Sequence, residues 1–230
     1  MTRETIDVAL PAGSTSVQVD ATTPEGAWAV IAVAHGAGSH MDHPGVTGFT
    51  DAMNAAGVAT VRFNFAYVES GRRMPGPPAH AIAAWEAVAA HVGTEHAPLP
   101  FVAAGRSYGG RMASMAAAEG RIRPRGLVYL GYPLHPPGRP EKPRVEHLPA
   151  VVPPQLFLSG TRDAFVQPHR QLEEAVSSCR DASVHWVDGA GHAFDIAGRR
   201  RPADESAAEL APVVVDWMRA RFRSDQRPEA

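Results

Sequence analysis

Continuous apolar runs alternate with helically spaced ones along this chain. Ile6–Leu10 and Ser16–Asp20 alternate apolar and polar positions around Pro11-Ala12-Gly13, which predicts an N-terminal β-hairpin. Trp28–His35 (WAVIAVAH) is almost wholly apolar and carries β-branched residues, the pattern of a strand buried on both faces. Phe49–Ala56 is a short helix that stops at Gly57, and Val58–Phe65 is the next strand. Pro78–His91 places Ile82, Trp85, Val88 and Ala89 on one helical face. Leu99–Gly105 is a strand, Tyr108–Glu119 a helix and Leu127–Tyr132 a strand. Gln155–Ser159 is a strand, Gln167–Ser178 a helix, Val184–Val187 a strand and Glu205–Phe222 a long closing helix. An opening hairpin followed by alternating strands and helices specifies an α/β fold with a doubly wound, mostly parallel sheet.

The remaining irregular stretch, Pro133–Pro154, holds eight prolines and is too short for a separate lid domain. The expected architecture is a single domain over residues 1–230 with minimal or no lid, and a charged tail, 221–230, that frays. Length and an apolar fraction of 44% agree with one globular unit. A formal net charge of −2 gives no reason to expect a nucleic-acid or anionic-membrane partner. Cys179 stands alone and cannot form an internal disulfide. Met1–Leu10 lacks a basic stretch followed by an apolar one, and the longest apolar run, around Trp28–Ala34, is far short of the ~20 residues that span a bilayer. These features predict a cytoplasmic protein, as a monomer or homodimer, without a membrane partner.

Candidate chemistry centres on Gly105-Arg106-Ser107-Tyr108-Gly109, a G-x-S-x-G sequence between an apolar strand and a helix. That context is the nucleophile elbow of α/β-hydrolases. The turn is so tight that side chains two residues either side of the serine would collide, so Gly105 and Gly109 leave room. The following helix aims its free N–H groups at the same spot. In this fold the triad runs Ser, acid, His along the chain. Asp163 follows the strand Gln155–Ser159, and His192 lies in the loop after Val184–Val187, so Ser107, Asp163 and His192 are the candidate catalytic residues. Asp188 and Asp195 are fallback acids, too near His192 in sequence to reach it across the sheet.

His35-Gly36-Ala37-Gly38 directly follows the first buried strand and is similar to the His-Gly-Gly-Gly loop of esterases. The backbone N–H groups of Ala37 and Tyr108 are the candidate oxyanion donors, with Gly36 and Gly38 letting the loop turn inward. Among 11 histidines, His40 and His43 are the nearest to a metal pair, but no acidic or cysteine cluster completes a site. No metal and no cofactor are implied.

The segments AHGAGS (34–39), RFNFAYVESGRR (62–73), GRSYGGRMA (105–113), GLVYLGYPLHPPGRPEKPR (126–144), LFLSGTRDAF (156–165) and GHAF (191–194) resemble the dienelactone-hydrolase-like α/β-hydrolases. Within them the chain looks closest to a small family of uncharacterised KANL/testis-expressed-type hydrolases. The resemblance implies Ser107 as nucleophile, Asp163 as acid and His192 as base. It also implies that Tyr132-Pro133-Leu134-His135 and Phe65–Arg73 shape the site. Dienelactone hydrolases proper use cysteine where this chain has Ser107, so dienelactone chemistry is not implied. Glu69 and Arg73 read as a structural ion pair rather than as contacts to a polar substrate, the alternative, and Tyr67, Met74 and Phe194 as pocket residues by position.

The leading expectation is a serine hydrolase acting on ester or thioester bonds of a small-molecule acyl substrate. A non-catalytic binding domain of the same fold, and transferase or haloperoxidase chemistry on the same residues, are the alternatives.

Overall fold

The strand-like runs join one eight-stranded sheet in a computed structural model that describes residues 2–222. The strands are β1 (Thr2–Leu10), β2 (Gly13–Thr22), β3 (Ala29–Ala34), β4 (Val58–Phe63), β5 (Phe101–Arg106), β6 (Gly126–Leu130), β7 (Gln155–Gly160) and β8 (Ala182–Val187). Their spatial order is β1-β2-β4-β3-β5-β6-β7-β8. β1 and β2 form the expected hairpin, and β2 meets β4 antiparallel. From β4 onward every pairing is parallel. A buried ion cluster ties the hairpin to the sheet: Asp20 on β2 receives Arg62 of β4 at 3.0 Å and Arg3 of β1 at 2.8 Å.

Seven helices cover the two faces of the described sheet: α1 (Pro44–Ala55), α2 (Ala66–Glu69), α3 (Pro78–Glu95), α4 (Tyr108–Ala118), α5 (His169–Ser177), α6 (Ala203–Ala208) and α7 (Ala211–Phe222). The central strands split their side chains between two cores, as period-two geometry demands. Val30, Ala32 and Ala34 of β3 pack with Trp85, Met112 and Tyr129 on one face. Ala29, Ile31 and Val33 pack with Phe49, Val214 and Met218 on the other. Burial on both faces explains why these strands read as unbroken apolar runs. Among the described residues no helix is long and apolar enough to cross a membrane.

Several boundaries depart from expectation for identifiable reasons. The first helix begins at Pro44 rather than Phe49, because proline suits a first helical position and His43 caps it, its Nδ1 accepting the Gly45 N–H at 3.0 Å. β4 ends at Phe63, and the short α2 after it has no counterpart in the sequence reading. The closing helix is two helices, α6 and α7. Pro212 has no N–H to donate and its ring excludes the preceding turn, so the helix breaks ahead of it. Pro133–Pro154 is irregular apart from one 3-10 turn at Leu148–Ala150, consistent with a fold lacking a lid. Of the tail expected to fray, Arg221 and Phe222 instead close α7, and the rest lies outside the described residues.

Candidate active site

Parallel strands all point their C-terminal ends the same way, so the loops that follow β3, β5, β7 and β8 meet at one edge of the sheet. Ser107 follows β5 and precedes α4. Its backbone sits at φ 48° and ψ −113°, a strained conformation for a residue with a side chain. The Ser107 N–H donates to the Leu130 carbonyl at 3.0 Å, anchoring the turn to the end of β6. The glycines are required sterically. A Cβ on Gly105 would overlap the Gly110 nitrogen, and one on Gly109 would lie 2.6 Å from the His35 carbonyl oxygen.

His192 lies in the loop after β8, and Asp163 in the loop after β7. His192 Nε2 is 2.9 Å from Ser107 Oγ, and His192 Nδ1 is 2.7 Å from Asp163 Oδ2. Asp163 is fully buried, and its second oxygen, Oδ1, accepts the Phe165 N–H at 2.8 Å. An ionised carboxylate can only accept, so the proton between the pair belongs to His192 Nδ1. The Nε2 lone pair is then left to accept the Ser107 hydroxyl. The Phe165 ring lies against the imidazole at a centroid distance of 4.1 Å and fixes its plane. This chain of bonds can move a proton from Ser107 to His192 and stabilise the imidazolium that forms. The fallback acids do other things: Asp188 accepts the Thr161 hydroxyl at 3.2 Å, and Asp195 lies against Gly191.

Gly36, Ala37 and Gly38 form a turn closed by the Ser39 N–H on the Gly36 carbonyl at 3.3 Å. Gly38 takes φ 73°, which favours glycine. Ala37 and Tyr108 both line the cavity above Ser107, and the Tyr108 N–H, at the first position of α4, has no intrahelical acceptor. The sequence reading left His35 without a task of its own. It is fully buried, its Nε2 accepts the Phe65 N–H at 3.2 Å, and its Nδ1–H therefore donates to the Gly36 carbonyl at 2.8 Å. Burial holds its pKa down at about 4, so it stays neutral and keeps this tautomer. His35 thus latches the glycine turn to the segment after β4.

The cavity measures about 460 Å³ and brings together Gly36, Ala37, Ser107, Tyr108, Phe165 and His192. Pro133 also reaches it, whereas Tyr132, Leu134 and His135 are buried behind it. The other pocket residues inferred from position do not line it. Tyr67 faces a neighbouring cavity, Met74 is 70% exposed, and Phe194 packs into the core beside α7. The expected Glu69–Arg73 pair is absent from the described contacts. Glu69 Oε1 instead accepts the Gln18 N–H at 3.2 Å, which ties α2 to the hairpin.

The alpha/beta hydrolase domain family matches residues 27–219. The chain belongs to that family. A dienelactone hydrolase from Anabaena variabilis superposes with a TM-score of 0.70 at 19% identity, over 95% of this chain and 97% of its own. A serine hydrolase without lid from Xanthomonas campestris superposes with a TM-score of 0.66 at 19% identity, covering 99% of this chain and 97% of its own. At these identities the likeness is one of fold, and this alpha/beta hydrolase shares the lidless form. A Mycobacterium tuberculosis protein described as a putative phosphoribosyl transferase is 28% identical over 92% of this chain. The chain spans only 45% of that relative's length.

Proposed function

We propose that this alpha/beta hydrolase is a serine hydrolase that cleaves carboxylic ester or thioester bonds of small acyl substrates through an acyl-enzyme. The observation that carries this reading is the bonded series Ser107–His192–Asp163 opening onto a cavity. Ser107 Oγ attacks the acyl carbonyl while His192 Nε2 takes its proton. The oxygen that becomes negative is received by the N–H groups of Ala37 and Tyr108, together worth several kcal/mol in such sites. The bond to the leaving group breaks, and His192 returns the proton to it. Water then adds to the acyl carbon with its proton passing to His192, and Ser107 Oγ is released as a hydroxyl.

The absence of a folded lid over the cavity favours short, water-soluble acyl groups. The reading takes the chain as a single catalytic domain acting in the cytoplasm. The segments quoted above support placing it beside the KANL/testis-expressed-type hydrolases. The transferase name of the mycobacterial relative is not carried over, because more than half of that protein has no counterpart here.

A fluorophosphonate probe followed by intact-mass measurement tests the reading. One adduct on the wild type and none on Ser107→Ala is the expected result. No adduct on folded wild type overturns it and puts a non-catalytic binding domain in its place.

A further inference from the structure

Three arginines line the cavity above Ser107: Arg106, Arg111 and Arg144. No aspartate or glutamate lines it among the described residues. Arg106 is offset in part, since Asp195 and Asp163 act on it electrostatically. No carboxylate is among the groups that act on Arg144. Neither Arg111 nor Arg144 has an ion-pair partner among the described residues, and Arg111 Nε is buried with no hydrogen-bond acceptor. The two also repel: burial, then the neighbouring Arg111 charge, draws the Arg144 pKa down. Two like charges held together with an orphaned donor cost free energy unless an anion offsets them. A structural ion pair would supply a carboxylate, and among the described residues none lines the cavity.

We infer that the substrate cleaved at Ser107 carries a phosphate group that sits between Arg111 and Arg144. The inference rests on the proposed hydrolase reading for where the scissile bond lies. A carboxylate is satisfied by one bidentate guanidinium, whereas a phosphate offers three oxygens and up to two charges, which suits two converging forks. Arg111 comes from the first turns of α4 and Arg144 from the proline-rich segment after β6, so the anion would bridge the elbow helix to the irregular segment. Arg111 lies one helical turn beyond the nucleophile, so the phosphate belongs to the substrate's body rather than to the bond that breaks.

Calorimetric titration with pyrophosphate tests this, with sodium chloride at matched ionic strength and succinate as comparison arms. Wild type is expected to bind pyrophosphate and to show no saturable chloride heat. Arg144→Gln is expected to weaken that binding about 10-fold to 100-fold, the worth of one charge-assisted contact. Arg170→Gln, which removes an exposed charge paired with Glu174 on α5, is expected to leave it unchanged. Pyrophosphate should also raise KM for the neutral ester p-nitrophenyl acetate without lowering kcat. Circular dichroism and the thermal midpoint check that Arg144→Gln is folded; if it is not, Arg144→Lys, which keeps the charge but loses the fork, takes its place. Absence of pyrophosphate binding, equal binding of succinate, or equal loss in the Arg170 variant overturns the inference. Because binding needs no nucleophile, fluorophosphonate labelling without pyrophosphate binding removes only this inference. Binding without labelling removes only the hydrolase reading.

Discussion

Ser107 Oγ lies 2.9 Å from His192 Nε2, and Ser114 Oγ, in the middle of α4, lies 2.7 Å from His147 Nε2. By distance alone the second pair is as good as the first. Hydrogen bookkeeping separates them. The Ser114 hydroxyl donates to the Arg111 carbonyl at 2.7 Å, so the proton in its contact with His147 must come from Nε2–H. His147 therefore holds the opposite tautomer to His192 and has no lone pair to offer that serine. No carboxylate is bonded to its other nitrogen among the described contacts, and Ser114 is fully buried. Burial, with the Arg111 charge beside it, lowers the His147 pKa to about 4. A serine beside a histidine becomes a candidate nucleophile only when a third group fixes the tautomer and space exists for a substrate.

Breaking each half of this comparison gives a graded series. Ser107→Ala should lower kcat/KM for p-nitrophenyl acetate by on the order of 10⁵-fold, while Ser114→Ala should keep fluorophosphonate labelling. Asp163→Asn should lower kcat by roughly 10³-fold to 10⁴-fold with little change in KM, because the amide can donate to Nδ1 and favours the wrong tautomer; steady-state kinetics reads both constants. Gly105→Ala should destabilise the fold by about 3 kcal/mol or more in urea titrations, since its Cβ would meet the backbone of α4. Ser114→Ala should cost about 1 kcal/mol in the same assay, as the buried His147 N–H loses its acceptor.

The smallest expected effect is on pH dependence. A histidine whose folded pKa is about 4 against 6.5 unfolded leaves stability intact above pH 6.5. The unfolded chain then binds the extra proton as pH falls, so stability drops across that window and levels off below it. His35 acts with the same sign. His147→Gln should therefore lose less stability than wild type between about pH 7 and about pH 4.5, by on the order of 1 kcal/mol after allowance for partial exposure.

Much of this was legible in the sequence, and for particular reasons. The buried strands announced themselves because parallel strands between two helix layers have no polar face. Ser107, Asp163 and His192 could be chosen by chain order, since each follows a strand and the fold brings strand ends to one edge. The loop after β3 was recognisable, but His35 was not, because its work depends on the Phe65 N–H contributed by another loop. The closing helix was read through Pro212, whose consequence is local and could have been seen. Arg106 stands inside the elbow sequence and Arg111 two residues beyond it, yet only the cavity shows that they meet Arg144 and that Arg111 and Arg144 have no ion-pair partner among the described residues. Pairings between distant loops leave no periodic mark on either segment.

The elbow at Ser107 has one more consequence. Its strained backbone depends on the close approach of Gly105 to the start of α4 and of Gly109 to the end of β3, and on the Ser107 N–H bond to Leu130 of β6. Those contacts join the centre of the sheet to a helix, so they vanish together when the sheet comes apart. Reactivity at this serine is thus a gauge of the native population: along a denaturant titration, the labelled fraction should trace the same curve as the loss of helical ellipticity, with no active intermediate between them.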